Sequence, residues 1–128
     1  MYATYKNLSK ETTVDQSLLD HVTPIKSIEQ KESIIKLNNI VVLDIYADWC
    51  GPCKVIAPKY AELAKKYNQV NACMLCKENI DDGMTDKSRI TAVPTFLFFK
   101  GGKFVDTIIG CDMNKIESKI LELSKITT

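Results

Sequence analysis

Two cysteines, Cys50 and Cys53, stand three residues apart in the run Trp49-Cys50-Gly51-Pro52-Cys53-Lys54. An i, i+3 spacing puts both sulfurs on one face of a helix. The chemistry open to such a pair is thiol–disulfide exchange, in which a thiolate attacks a disulfide and a second thiol resolves the mixed product. The run falls between an apolar stretch, Ile40 to Tyr46, and a helical pattern from Gly51. Cys50 is therefore expected at a helix start, where unpaired N–H groups and the helix dipole favour negative charge. That lowers a thiol's pKa and raises its nucleophilicity at neutral pH. Gly51 lets a partner approach closely. Pro52 suits a first helical turn, where its missing N–H costs little.

Asp44 is the second candidate. It is a carboxylate inside an otherwise apolar strand, a costly place without a partner or a purpose. It precedes Cys50 by six residues, so we expect it beneath the helix start, relaying a proton to or from Cys53. Lys77, in a second apolar stretch, is its candidate partner. The third candidate is Pro94, in Val93-Pro94-Thr95 at the opening of a strand, a position that tolerates proline. A cis bond there would aim the Val93 backbone at the dithiol.

Five cysteines are an odd number, so they cannot all pair within the chain. Cys73 and Cys76 form a second Cys-x-x-Cys, with nineteen residues between it and the first, and this is zinc-ribbon spacing. They lie in an apolar stretch without turn residues, however, and in a strand residues three apart face opposite ways. We therefore read them as small core residues and expect no metal site. Cys111 is read as a surface thiol. His21 is the one histidine and lies in a polar segment, which disfavours a Cys–His nucleophile pair.

Several elements must hold these groups in place. Residues 1–22 are polar and are expected to form a mobile N-terminal extension, although Val14, Leu18 and Leu19 would share one face of a short helix. Residues 23–128 are expected to form one domain. Ile25 and Ile28 suggest a short strand, and Glu29 to Leu37 a helix ended by Asn38-Asn39. Ile40 to Tyr46 reads as a strand covered on both faces, being apolar without alternation. Ile56, Tyr60, Leu63 and Tyr67 make one stripe of a helix from Gly51 to Tyr67, with Pro58 expected to kink it. Val70 to Ile80 is a second buried strand, and Asp81 to Arg89 one or two helical turns. Thr95–Phe99 and Phe104–Ile109 are strands joined through Gly101-Gly102 as a hairpin. Met113, Ile116, Ile120 and Leu123 mark a last amphipathic helix. Strands separated by helices imply parallel pairing, and the hairpin adds antiparallel strands. The class is α/β, a mixed sheet with helices on both faces.

Composition excludes other classes. The chain has 128 residues, the size of one domain, and a net charge of +1. Basic residues are not concentrated anywhere, so no nucleic-acid or anionic-membrane surface is expected. The apolar runs reach only about four or five residues, far short of the ~20 that cross a bilayer. The first residues lack the apolar stretch of a secretory signal, and we expect a reducing, cytoplasmic setting.

Taken together, these residues resemble the thioredoxin family across about residues 23–127. The family signature Trp-Cys-Gly-Pro-Cys-Lys is unbroken at 49–54. Asp44 matches its buried aspartate, Pro58 its helix proline, Pro94 its cis-proline, and Lys100-Gly101-Gly102 and Gly110 its hairpin and late glycine. The resemblance implies the thioredoxin fold, a five-stranded mixed sheet flanked by four helices. It implies reduction of protein disulfides, with the Cys50–Cys53 disulfide recharged from NADPH through a thioredoxin reductase and no bound cofactor. It also implies an apolar docking surface from Trp49, Val93 and Gly110, joined here by Gly51, Pro52 and Pro94. Expected partners are disulfide-containing proteins and the reductase, with the chain a monomer. Two other functions are open, a module that mainly holds a partner protein and a net oxidase or isomerase. The intact Cys-Gly-Pro-Cys argues against the first, and its Gly-Pro resembles the reducing branch of the family. One departure is Glu78, where the family has an apolar residue. We expect the strand to leave the core before it, or a local irregularity to expose it.

Overall fold

A computed structural model of the chain describes residues 16–68 and 72–125. Its elements run α1 (Gln16–Leu19), β1 (Thr23–Pro24), α2 (Ile28–Leu37), β2 (Ile40–Tyr46), α3 (Gly51–Tyr67), β3 (Cys73–Asn79), β4 (Thr95–Lys100), β5 (Lys103–Ile109) and α4 (Met113–Ser124). The strands form one sheet in the order β1-β3-β2-β4-β5. β3 pairs parallel with β1 and β2, while β4 pairs antiparallel with β2 and β5. This is the expected mixed sheet, with its parallel half first and its hairpin last.

The central strand shows why its sequence does not alternate. Ile40 and Val42 pack into one apolar cluster with Ile56, Tyr60 and Ala64 of α3 and Ile116 and Ile120 of α4. Val41, Leu43 and Ile45 point the other way, into a cluster with Ile34 and Ile35 of α2. Both faces are covered, so every position is apolar except the one that must be explained, Asp44. α3 runs unbroken through Pro58. It is pinned to the sheet by Tyr60, 1% exposed, whose hydroxyl lies 3.0 Å from the Val42 carbonyl and 2.9 Å from that of Cys76. A buried phenol needs such partners, because an unpaired hydroxyl in an apolar core costs about 1–3 kcal/mol.

The helix starts follow capping chemistry. Ser27 Oγ accepts the Gln30 N–H at 3.0 Å, and Gln30 Oε1 accepts the Lys26 N–H at 2.6 Å. Asp112 Oδ1 accepts the Lys115 N–H at the start of α4. The β4–β5 turn has φ of +59° at Gly101 and +84° at Gly102. Only glycine takes two such positions without strain, which is why this dipeptide closes the hairpin.

Three local expectations are corrected. The first strand is Thr23–Pro24, not a stretch reaching Ile28, because the Ser27 cap draws Ile28 into the first turn of α2. β3 ends at Asn79, and Ile80 enters a 3-10 turn capped by the Asn79 side chain; Val70 lies outside the described residues. The one or two helical turns expected over 81–89 are two single 3-10 turns, Ile80–Asp82 and Lys87–Arg89. Glu78 neither leaves the strand nor becomes exposed. It stays in register opposite Ile45 and is fully buried, and it is held by a 2.8 Å ion pair from Lys31. At the N-terminal side, Leu18 and Leu19 of α1 pack against the core, and the His21 carbonyl accepts the Asn68 amide at 2.7 Å. Val14 lies outside the described residues.

Candidate active site

The end of β2 and the start of α3 meet at Cys50. Its N–H donates to the Ala47 carbonyl at 3.1 Å, so the chain turns tightly and Cys50 becomes the N-cap of α3. Most helices cap with an oxygen side chain; here the Cys50 sulfur accepts the Cys53 N–H at 3.1 Å. Cys50 and Cys53 are joined by a disulfide, with their Cα atoms 5.3 Å apart. Both residues are nearly covered, at 4% and 5% exposure, while Trp49 beside them is 71% exposed. The accessible face of the sulfur pair is narrow, and an attacking or attacked group must approach along it. When the bond is open, the helix dipole and the Cys53 N–H stabilise a thiolate at Cys50.

The Val93–Pro94 bond is cis, and the Val93 carbonyl oxygen lies 3.7 Å from Cys50 Sγ. The segment is fastened on both sides. Thr95 Oγ1 donates to the Ala92 carbonyl at 2.6 Å, and the Gly110 N–H donates to the Pro94 carbonyl at 2.9 Å. Gly110 has φ +102°, a conformation that only glycine takes readily, so this contact depends on its lack of a side chain. Trp49, Gly51 and Pro52 flank the disulfide in the chain, and Val93, Pro94 and Gly110 are brought beside it by these contacts.

Asp44 and Lys77 sit beneath. They are directly opposite each other across the β2–β3 pairing and, with Cys53, Lys54 and Ala57, line one cleft under the helix start. Asp44 is 5% exposed, and its Oδ1 accepts no hydrogen bond. Burial pushes its carboxyl up to about 7, against the opposing pull of the Lys77 charge. A carboxyl that takes and gives a proton near neutral pH, in the same cleft as Cys53, suits general acid–base work.

Two features had no signal in the sequence. Asp81 is paired to Lys87 at 2.6 Å, and that ammonium, together with the nearby Trp49 indole, holds its carboxyl below the usual range. Trp49, Asp81, Lys87, Ile90 and Val93 line a groove beside the disulfide. Cys111, read from the sequence as a surface thiol, is exposed, with its sulfur 4.0 Å from the Pro52 carbonyl; partial burial and the Asp44 charge push its thiol up. Residues of the groove lie more than thirty positions from Trp49 in the chain, and no local pattern announces them. The other two cysteines are core residues. Cys73 belongs to the cluster on one face of the sheet and Cys76 to the cluster on the other. Burial pushes each thiol up to about 12, and their opposite directions keep them from sharing a ligand.

The family described as Thioredoxin matches residues 21–122 of the chain. The chain is 38% identical over 114 residues to Thioredoxin of Neurospora crassa, an overlap of 84% of this chain and 90% of that one. It is 36% identical over 99 residues to Thioredoxin-1 of Saccharomyces cerevisiae, covering 77% of this chain and 95% of the other. Among solved structures, a Plasmodium falciparum thioredoxin superposes with a TM-score of 0.71 at 37% identity, covering 79% of this chain and 98% of that one.

Proposed function

Since the chain belongs to the thioredoxin family and is a protein-disulfide oxidoreductase, we propose that Cys50 is its attacking thiolate and Cys53 its resolving thiol. The observation that carries this assignment is the Cys50 sulfur at the N-cap of α3, on the Cys53 N–H. Negative charge is favoured there, whereas Cys53 lies inside the first turn, in the cleft with Asp44.

In the reduced protein, the Cys50 thiolate attacks one sulfur of a target disulfide. A Cys50–target bond forms, the target's S–S bond breaks, and the second target sulfur leaves as a thiolate that takes a proton. Asp44, ionised, accepts the Cys53 proton. The Cys53 thiolate attacks Cys50 Sγ, closing the Cys50–Cys53 bond and expelling the first target thiolate. Two electrons pass to the target, which leaves as a dithiol. Lys77 keeps the Asp44 carboxylate partly compensated. The target's extended backbone pairs with Val93 beside the cis-proline, and Trp49, Gly51, Pro52, Pro94 and Gly110 form the surface it rests on.

The family's partners are disulfide-containing proteins and a reductase. For this chain we assign NADPH, through a thioredoxin reductase, as the source of electrons, with no bound cofactor, a monomeric state and a cytoplasmic setting. No helix among the described residues is long and apolar enough to cross a membrane. We also keep residues 1–22 as an extension to a domain of residues 23–128.

The test is Cys53→Ser. Without the resolving thiol, the first exchange proceeds and the second does not, so targets accumulate as mixed disulfides through Cys50. Non-reducing electrophoresis of the variant with an oxidised protein substrate should show a covalent adduct that dithiothreitol removes. Absence of any adduct, or an adduct mapped by mass spectrometry to Cys111, would reverse the assignment.

A further inference from the structure

The connection from Ile80 to Val93 contributes most of the groove beside Trp49, yet it holds only two short 3-10 turns. Its bonds between Asp81 and Lys87, and between Asp86 and Ser88, close within the segment. Met84 and Ile90 pack on the core beneath it, but apolar contact sets no direction. Thr85 does. Its Oγ1 donates to Glu78 Oε2 at 2.6 Å and lies 3.2 Å from Lys31 Nζ, while Lys31 Nζ is 2.8 Å from Glu78 Oε1. The three side chains form a closed triangle joining α2, β3 and the midpoint of the connection.

Stability does not account for this triangle. Glu78 has no exposed surface, and removing a carboxylate from water costs several kcal/mol. A pair of apolar residues would fill the space between α2 and β3 at least as well. Charge-assisted hydrogen bonds supply fixed distances and angles that apolar packing lacks. We propose that Glu78, acting through Thr85 and Lys31, is a positioning residue that sets the place of the 80–93 segment and so the affinity for protein disulfides. The proposal rests on the reading that targets dock against Trp49 and Val93, both of which line this groove.

Two variants of the full chain test it, Thr85→Val and Glu78→Gln. Each is assayed with a disulfide-linked protein, insulin, and with a small aromatic disulfide, 5,5′-dithiobis(2-nitrobenzoate), and the Cys50–Cys53 reduction potential is measured. The expected result is a KM for insulin raised between about two-fold and thirty-fold, the span of mutational effects on coupled sites. The kcat, the rate with the small disulfide and the potential should stay at wild-type values. Equal loss on both substrates, or a shifted potential, would show damage to the thiol chemistry and overturn the proposal; so would no change in KM. Thr85→Val removes one hydroxyl at a half-buried loop site, so it decides the matter if Glu78→Gln does not fold. Trp49→Ala separates the premise from the proposal. If it raises the KM for insulin and Thr85→Val does not, only the positioning role falls. If Trp49→Ala leaves the KM unchanged, the docking groove falls and the positioning role with it.

Discussion

Cys50→Ser should leave the protein folded and lower its reduction of a protein disulfide by at least about 10³-fold, the scale of removing a covalent nucleophile. The reason is local. The Cys50 side chain faces solvent along one narrow edge and sits on the N–H of Cys53 at the helix start. A serine hydroxyl accepts that same N–H and caps α3 as well as the sulfur does, so the helix survives. It is not ionised at neutral pH, however, and cannot exchange with a disulfide. NADPH oxidation coupled through a thioredoxin reductase to insulin reduction reads the loss. Circular dichroism and denaturant midpoints check that the fold is intact. Cys111→Ser is the control, because the Cys111 sulfur lies outside the bonded pair. Loss of turnover in Cys111→Ser together with activity in Cys50→Ser would sink the assignment.

Asp44→Asn should change two measurements in opposite directions. The first is stability. The native carboxyl titrates at about 7, against 3.8 for a free side chain. Between those values the native state binds more protons than the unfolded chain, so stability falls as pH rises through the window. Below about pH 4 both states are protonated and Asp44 carries no such penalty. Above pH 7 the buried charge costs about 4 kcal/mol, from roughly three pKa units. Asparagine carries no charge at any pH. The variant should therefore match the wild type near pH 4 and exceed it increasingly towards pH 8, by up to a few kcal/mol, in urea titrations across that range. A constant difference at every pH would deny the titration. The second measurement is rate. Without the buried carboxylate of Asp44, the Cys53 proton loses its positioned base, and resolution of the mixed disulfide should slow by about 10²-fold near pH 7, the low end for such a base. The inflection near pH 7 in the wild-type profile should vanish. An unchanged pH–rate profile would remove Asp44 from the mechanism.

The opposition between these effects explains why the site could be read from sequence. Asp44 lowers stability at the pH where it does chemistry, so it stands out as a polar residue in an apolar strand. Trp49 to Lys54 was legible for a different reason. The dithiol, its spacing and its helix start occupy six adjacent residues, and no distant partner is needed to interpret them. The hairpin followed from two adjacent glycines, and the central strands from runs apolar enough to be covered twice. What stayed hidden depends on pairs far apart in the chain. Glu78 was misjudged because its partner, Lys31, lies 47 positions earlier and only packing of α2 on β3 joins them. Asp81 and Trp49 meet through a connection without regular periodicity. The first strand does not reach Ile28, although Ile25 and Ile28 share an apolar character, because the serine between them decides which one is helical.

The burial of Cys73 and Cys76 has a practical consequence for chemical labelling. A water-soluble alkylating reagent applied to the native, oxidised protein meets three unpaired cysteines, but two are sealed in the core with thiols that ionise only near pH 12. The mass increase should therefore correspond to one adduct, at Cys111, rather than three. Opening the Cys50–Cys53 bond adds the Cys50 thiolate at the helix start, and only global unfolding releases Cys73 and Cys76. The number of adducts on intact protein thus separates the redox state of the site from the integrity of the fold in one spectrum.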